Sequence, residues 1–153
     1  MKEIRGSASA VARATPESCF SLLAAVDRYG DWNGYLVREV EVIERKEDDW
    51  PARARGAIYV KHSPVMKHFE LTVAVRAEPP RAVYITRIPN EPSDREALEL
   101  AWRLAPARGR ATRINLELQA VVSFVPGFIP LGGVGNMIAD TLLEAATEAL
   151  APA

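Results

Sequence analysis

Seven stretches of this chain alternate apolar and polar residues with a period of two, and one long stretch at the end does not. Side chains on a strand point alternately to opposite faces, so sustained alternation makes a sheet with one dry and one wet face. The stretches are residues 3–13, 36–46, 52–62, 68–77, 82–88, 96–105 and 111–124. Short polar or proline-containing turns separate the last six, such as Glu47-Asp48-Asp49, Glu78-Pro79-Pro80-Arg81 and Ala107-Arg108-Gly109-Arg110. Such spacing suits hairpins and leaves no room for helical crossovers between parallel strands. The expectation is an antiparallel meander. Its inward set includes Phe69, Leu71, Leu100, Trp102, Leu116 and Leu118, with Arg53, Arg55, Glu70, Glu99 and Glu117 outside. In residues 36–46, Val40 and Val42 should share a face opposite Glu39 and Glu41. In the first strand, Ser7, Ser9 and Val11 oppose Ala8, Ala10 and Ala12, and small residues on both sides suggest close packing on both.

Helices bracket the meander. Thr15-Pro16-Glu17 reads as N-cap, first helical position and acidic first turn. That helix runs to about Ala25, and Asp27 is placed to cap a second short one through Tyr29. From Val134 to Leu150 the period becomes helical, with Val134, Ile138, Thr141, Leu142, Ala145 and Ala149 as the stripe. A sheet with a dry face needs a cover, and this is the one long helix available. The fold class is therefore α+β: a curved antiparallel sheet of about seven strands around a long C-terminal helix, with two short helices after strand 1. The 153 residues show no repeat or linker, and we expect a single domain over 1–153.

Composition narrows function. The formal net charge of -1 offers no broad attraction for nucleic acid or anionic lipid. No apolar run approaches the ~20 residues of a spanning helix. Residues 1–14 alternate where a secretion signal would run apolar, so the expected location is cytoplasmic. Cys19, the one cysteine, has no disulfide partner and reads as a small buried hydrophobe. His62 and His68 fall on opposite faces by alternation, and no third ligand stands near, so neither metal nor cofactor is expected. Gly132-Gly133-Val134-Gly135 lacks the strand turn and lysine of a phosphate loop and reads as a flexible entry to the helix.

Two local motifs carry a family resemblance. Ala14-Thr15-Pro16-Glu17-Ser18-Cys19-Phe20-Ser21-Leu22-Leu23, followed by Val26-Asp27-Arg28-Tyr29-Gly30-Asp31-Trp32, resembles the opening helix pair of the SRPBCC superfamily. Gly109-Arg110-Ala111-Thr112-Arg113-Ile114 is similar to the turn before its last strand. That superfamily includes StAR-related lipid-transfer domains, coenzyme Q-binding proteins and polyketide cyclase/dehydrase proteins. The resemblance spans essentially the whole chain and implies the helix-grip fold. It implies many activities on one scaffold, so function rests on the site.

An apolar dry face, an alanine-rich helix and few convergent polar groups point to a carrier or binding protein for a hydrophobic small molecule, such as a lipid, quinone or polyketide. The expected ligand-binding residues are Trp32, Tyr35, His62, Phe69, Arg87, Trp102, Phe128 and Ile138. Arg87 shares a face with Val83 and Ile85; it either clamps a ligand carboxylate or phenolate, or snorkels to water. Two alternatives stand beside this reading. One is a cyclase/dehydrase-type enzyme using Arg87, His62 or Tyr84 to polarise a carbonyl. The other is an interaction module docking through the apolar residues 126–131, which leaves room for a homodimer or a transient membrane contact. Residues 126–135, with glycine hinges, two prolines and Phe128, serve either as a lid or as a plug of the core.

Overall fold

A computed structural model describes residues 2–33, 37–46, 50–62, 65–123 and 132–151, with the side chains of 38 and 60–69 outside the description. The elements run β1 (Lys2–Ala12), α1 (Pro16–Ala24), a 3-10 turn (Val26–Arg28), α2 (Tyr29–Trp32), β2 (Val37–Arg45), β3 (Pro51–His62), β4 (Val65–Glu78), β5 (Ala82–Ile88), β6 (Ala97–Ala107), β7 (Ala111–Val122) and α3 (Val134–Leu150). The strands form one seven-stranded sheet in the order β1-β7-β6-β5-β4-β3-β2, antiparallel throughout. Strands β2 to β7 are the expected meander, and β1 closes onto β7. With α3 against the sheet, this is the helix-grip architecture.

Alternation sets the faces. Leu100, Trp102 and Leu104 on β6, and Ile114, Leu116 and Leu118 on β7, are buried, while Glu99, Arg103, Arg113, Glu117 and Gln119 between them are exposed. Leu71, Val73 and Val75 continue the dry face on β4. Phe20 and Leu23 of α1, with Leu142, Leu143 and Ala146 of α3, complete the core. Thr15 caps α1, its hydroxyl oxygen accepting the Ser18 amide at 3.2 Å, and Pro16 opens the helix. Cys19 is fully buried, and burial raises its thiol pKa, as a packing role requires.

Four details depart from the sequence reading. The first is a bulge in β2: Glu39 adopts a left-handed φ of 57°, and the register with β3 shifts between Arg38 and Glu41. The extra residue puts Val37 and Val40 on one side although their numbers differ in parity. Second, β1 packs on one face alone. Ala12 is buried and Ala8 and Ala10 pack against the core, whereas Ser7 and Ser9 are exposed and Val11 is 49% exposed. Third, Asp27 caps nothing and the second short helix does not end at Tyr29: Asp27 lies inside the 3-10 turn, where Arg45 Nη2 donates to Oδ2 at 3.3 Å, and α2 starts at Tyr29 and continues through Gly30 and Asp31 to Trp32. Fourth, the buried stripe of α3 is Val134, Gly135, Ala139, Leu142, Leu143 and Ala146, leaving Thr141 and Ala149 exposed and Ile138 half-buried.

The rotation of α3 has a cause in β1. A methyl group on Gly6 would lie 2.1 Å from the carbonyl carbon and oxygen of Gly135, and one on Gly135 would lie 2.1 Å from the Arg5 oxygen. Two backbones therefore meet directly, as two facing glycines permit. Asn136 Oδ1 then accepts the Ser7 amide at 3.0 Å, satisfying a donor on this edge strand.

Candidate functional site

The void follows from a local deficit of side-chain volume. Strand β3 presents Ala54 and Gly56 opposite Val73 and Leu71 of β4, where larger residues would fill the layer. A cavity of about 60 Å³ occupies that position. Val26 and Tyr29 cover it from the short helices, and Val37 and Val40 close it on the side of β2. Ile58, Ile85, Leu98 and Leu100 complete the sheet side. Among the described residues the wall is apolar apart from Tyr29 and exposed backbone.

Tyr29 is buried, and its hydroxyl donates to the Leu23 carbonyl at 2.5 Å. Burial pushes its pKa far above the ordinary phenol value, opposed by the neighbouring Trp102 indole. The Trp32 ring lies tilted on the Tyr29 ring with centroids 4.8 Å apart. Among the described residues, three buried side-chain donors have no hydrogen-bond partner: Trp32 Nε1, Asn33 Nδ2 and Trp102 Nε1. Of these, Trp102 lies beside the Tyr29 hydroxyl without hydrogen-bonding geometry.

The residues expected to bind ligand are scattered over this end of the fold. Trp32 sits on α2 next to the cavity-lining Tyr29. Trp102 is fully buried in the main core. Ile138 packs half-buried on α3, against both the main core and the smaller cluster of Ile4, Ala120, Val122 and Val134. Phe69 pairs in register with the cavity-lining Ile58, and His62 with Val65; their side chains lie outside the description. Tyr35 and Phe128, with the segment 126–131, also lie outside the described residues.

Arg87 neither snorkels to water nor stands free. Its side chain is 10% exposed and donates from Nη2 to Asp94 Oδ2 at 2.7 Å and from Nη1 to the Glu96 carbonyl at 2.8 Å. The Asp94 carboxylate also accepts the backbone amides of Asn90 and Glu96, at 3.1 and 3.0 Å. The Arg87 hydrogen bond, followed by the Asn90 amide, lowers the Asp94 pKa to about 2. Arg87 thus ties down the β5–β6 connection. Tyr84 faces the opposite side of the sheet, with the Arg76 guanidinium 4.2 Å above its ring. It does not join Arg87 in one constellation.

Sequence reasoning missed Val26, Tyr29, Val37 and Val40. The bulge at a glutamate hid the two valines, since nothing in the residue type announces a left-handed φ. A larger open depression, about 690 Å³, lies on the outer face over Tyr84. Its Arg5, Arg76 and Arg103 already pair with Glu3, Glu78 and Glu117, and all six side chains are solvent-exposed. Paired charges in water leave little field for a ligand, so the apolar cavity is the stronger candidate. Among the described residues no cluster of His, Cys, Asp and Glu could hold a metal, and no helix is long and apolar enough to cross a membrane.

Residues 13–147 match the family described as "Polyketide cyclase / dehydrase and lipid transport". The chain belongs to that family, within the SRPBCC superfamily. Solved structures agree on the fold. A START superfamily protein from Mycobacterium smegmatis superposes with TM-score 0.76 at 15% identity, over 96% of this chain and 97% of that one. A conserved protein from Geobacillus kaustophilus gives 0.75 at 16% identity, over 96% and 95%. The Zhui aromatase/cyclase from Streptomyces sp. R1128 gives 0.57 at 16% identity, over 97% and 86%. No match was found among curated proteins.

Proposed function

We propose that this chain, acting as one domain over residues 1–153, binds a hydrophobic small molecule in the cavity beneath α2, as a carrier or binding protein. The observation that carries this reading is the wall itself: apolar side chains from five strands and the short helices converge on a void, and the one polar side chain among the described residues, Tyr29, has its hydroxyl donated to Leu23. Family membership supports it, as does the description of that family as including lipid transport. A lipid-, quinone- or polyketide-like skeleton fits the chemistry of the wall. Of the sequence-named residues, Trp32 packs on the cavity-lining Tyr29, and Phe69 pairs in register with the cavity-lining Ile58.

Ligand pockets usually enclose about 300–1,000 Å³, so binding has to enlarge the 60 Å³ void. The wall on the β2 side suits that, because β2 is a bulged edge strand held by β3 alone within the sheet. The test is titration with N-phenyl-1-naphthylamine, whose fluorescence rises in apolar surroundings. Saturable one-to-one binding in the natural chain, lost in a folded Ala54→Phe variant, is the expected result. Equal binding in both proteins would place the probe elsewhere and overturn the assignment.

A further inference from the structure

We infer that β2 is a strap that bows away from the cavity to admit the ligand, with the bulge at Glu39 as its point of release. This rests on the cavity reading above and assigns the way into the same site. The walls of the void differ in how firmly they are held. Strands β3 to β6 are each paired on both sides, and the ladders from β3 to β7 run in unbroken register. The short-helix cap is anchored in the core: Val26 and Tyr29 cluster there with Phe20 and Leu23, and the Tyr29 hydroxyl donates to the Leu23 carbonyl. Strand β2 has only β3 beside it in the sheet, and their register breaks three times between Arg38 and Arg45. From Arg38 to Glu41, β2 advances three residues while β3 advances two, from Ala57 to Arg55.

The first break coincides with the cavity wall. Glu39 lies between Val37 and Val40, which both line the void, and its φ of 57° is one that residues with a β-carbon rarely adopt. Such a residue is held in place by its surroundings rather than by its own preference. A strand with an interrupted ladder opens locally at low free energy. The ends of the strap, by contrast, are fastened. The Val37 amide donates to the Asn33 carbonyl at 3.0 Å, just past α2, and Arg45 Nη2 pairs with Asp27 Oδ2 at 3.3 Å, in the 3-10 turn. Both fastenings lead to the anchored cap. The middle of β2 therefore moves outward between fixed ends and carries Val40 with it, which widens the void.

The test is a disulfide staple. Glu41 and Arg55 are exposed partners in register, so Glu41→Cys with Arg55→Cys joins the middle of β2 to β3. Cys19 is fully buried and stays out of the reaction. Stopped-flow fluorescence gives the association rate of N-phenyl-1-naphthylamine. Oxidation should slow association by about tenfold or more, because local opening of β2 is then blocked, and dithiothreitol should restore it. A control staple, Ala105→Cys with Arg113→Cys, joins exposed partners on β6 and β7 and should leave the rate unchanged. Asp27→Ala unfastens one end of the strap and should speed association by about two- to fivefold, the scale of a solvent-accessible ion pair. This single variant decides the matter if the stapled chain does not fold. Equal rates in oxidised and reduced stapled protein, or equal slowing by both staples, would overturn the inference while leaving the cavity in place. So would an unchanged rate in Asp27→Ala where that variant decides. Failure of the natural chain to bind the probe would overturn the cavity reading and this inference with it.

Discussion

At Asp94 a single carboxylate organises the β5–β6 connection, and its titration gives stability a sign with pH. Its pKa in the folded chain is about 2, below the ordinary 3.8. A depressed carboxylate contributes stability above its unfolded pKa, and that contribution is lost as pH falls through the folded value. Asp94→Asn should therefore be less stable than the natural chain at neutral pH, with the gap narrowing between about pH 4 and pH 2. Urea unfolding at stepped pH measures it, and a gap independent of pH would show that the Arg87 pairing is not the cause. Gly6 is the second residue on which the structure turns. A methyl group there meets Gly135 backbone at 2.1 Å, with no flexible side chain to yield. Gly6→Ala should cost about 1–3 kcal/mol or more, as overpacking does. A melting temperature equal to that of the natural chain would mean that α3 does not cross β1 in this register.

At the scale of elements, α3 is held by the face it buries. Leu142 is 3% exposed and Ile138 only half-buried. Leu142→Asp should lower stability by several kcal/mol through an unpaired buried charge, and Ile138→Asp by distinctly less; thermal melts of the two variants check the order. From sequence alone the two positions looked equivalent. The stripe was legible as helical, yet its azimuth was set by the contact between Gly6 and Gly135, which joins residues far apart in the chain and leaves no periodic trace. Strands β6 and β7 were readable because uninterrupted alternation carries their faces from end to end. Strand β2 was not, because one left-handed residue, Glu39, exchanges the faces part-way along. That one exchange concealed Val37 and Val40, and with them one side of the cavity. Arg87 illustrates another limit: its parity correctly placed a charge on the dry face, while its partners, Asp94 and the Glu96 carbonyl, come from the following connection.

For the whole molecule, the fold and the cavity have different origins. Seven antiparallel strands closed over α1 and α3 make a packed core around Trp102, Ile114 and Leu116, each essentially inaccessible to solvent. The cavity lies to one side, where Ala54 and Gly56 stop short of the layer that Leu71 and Val73 fill. A binding protein can thus remain stable while one wall adjusts to a ligand. The most direct test is where an apolar molecule sits. With methyl-labelled protein and unlabelled 2-acetylnaphthalene, intermolecular nuclear Overhauser effects should appear at Val37, Val40, Leu71, Val73 and Ile85, which surround the void. Effects confined to outer-face protons such as those of Ala74, Ala101 and Thr86, beside Tyr84, would contradict the account.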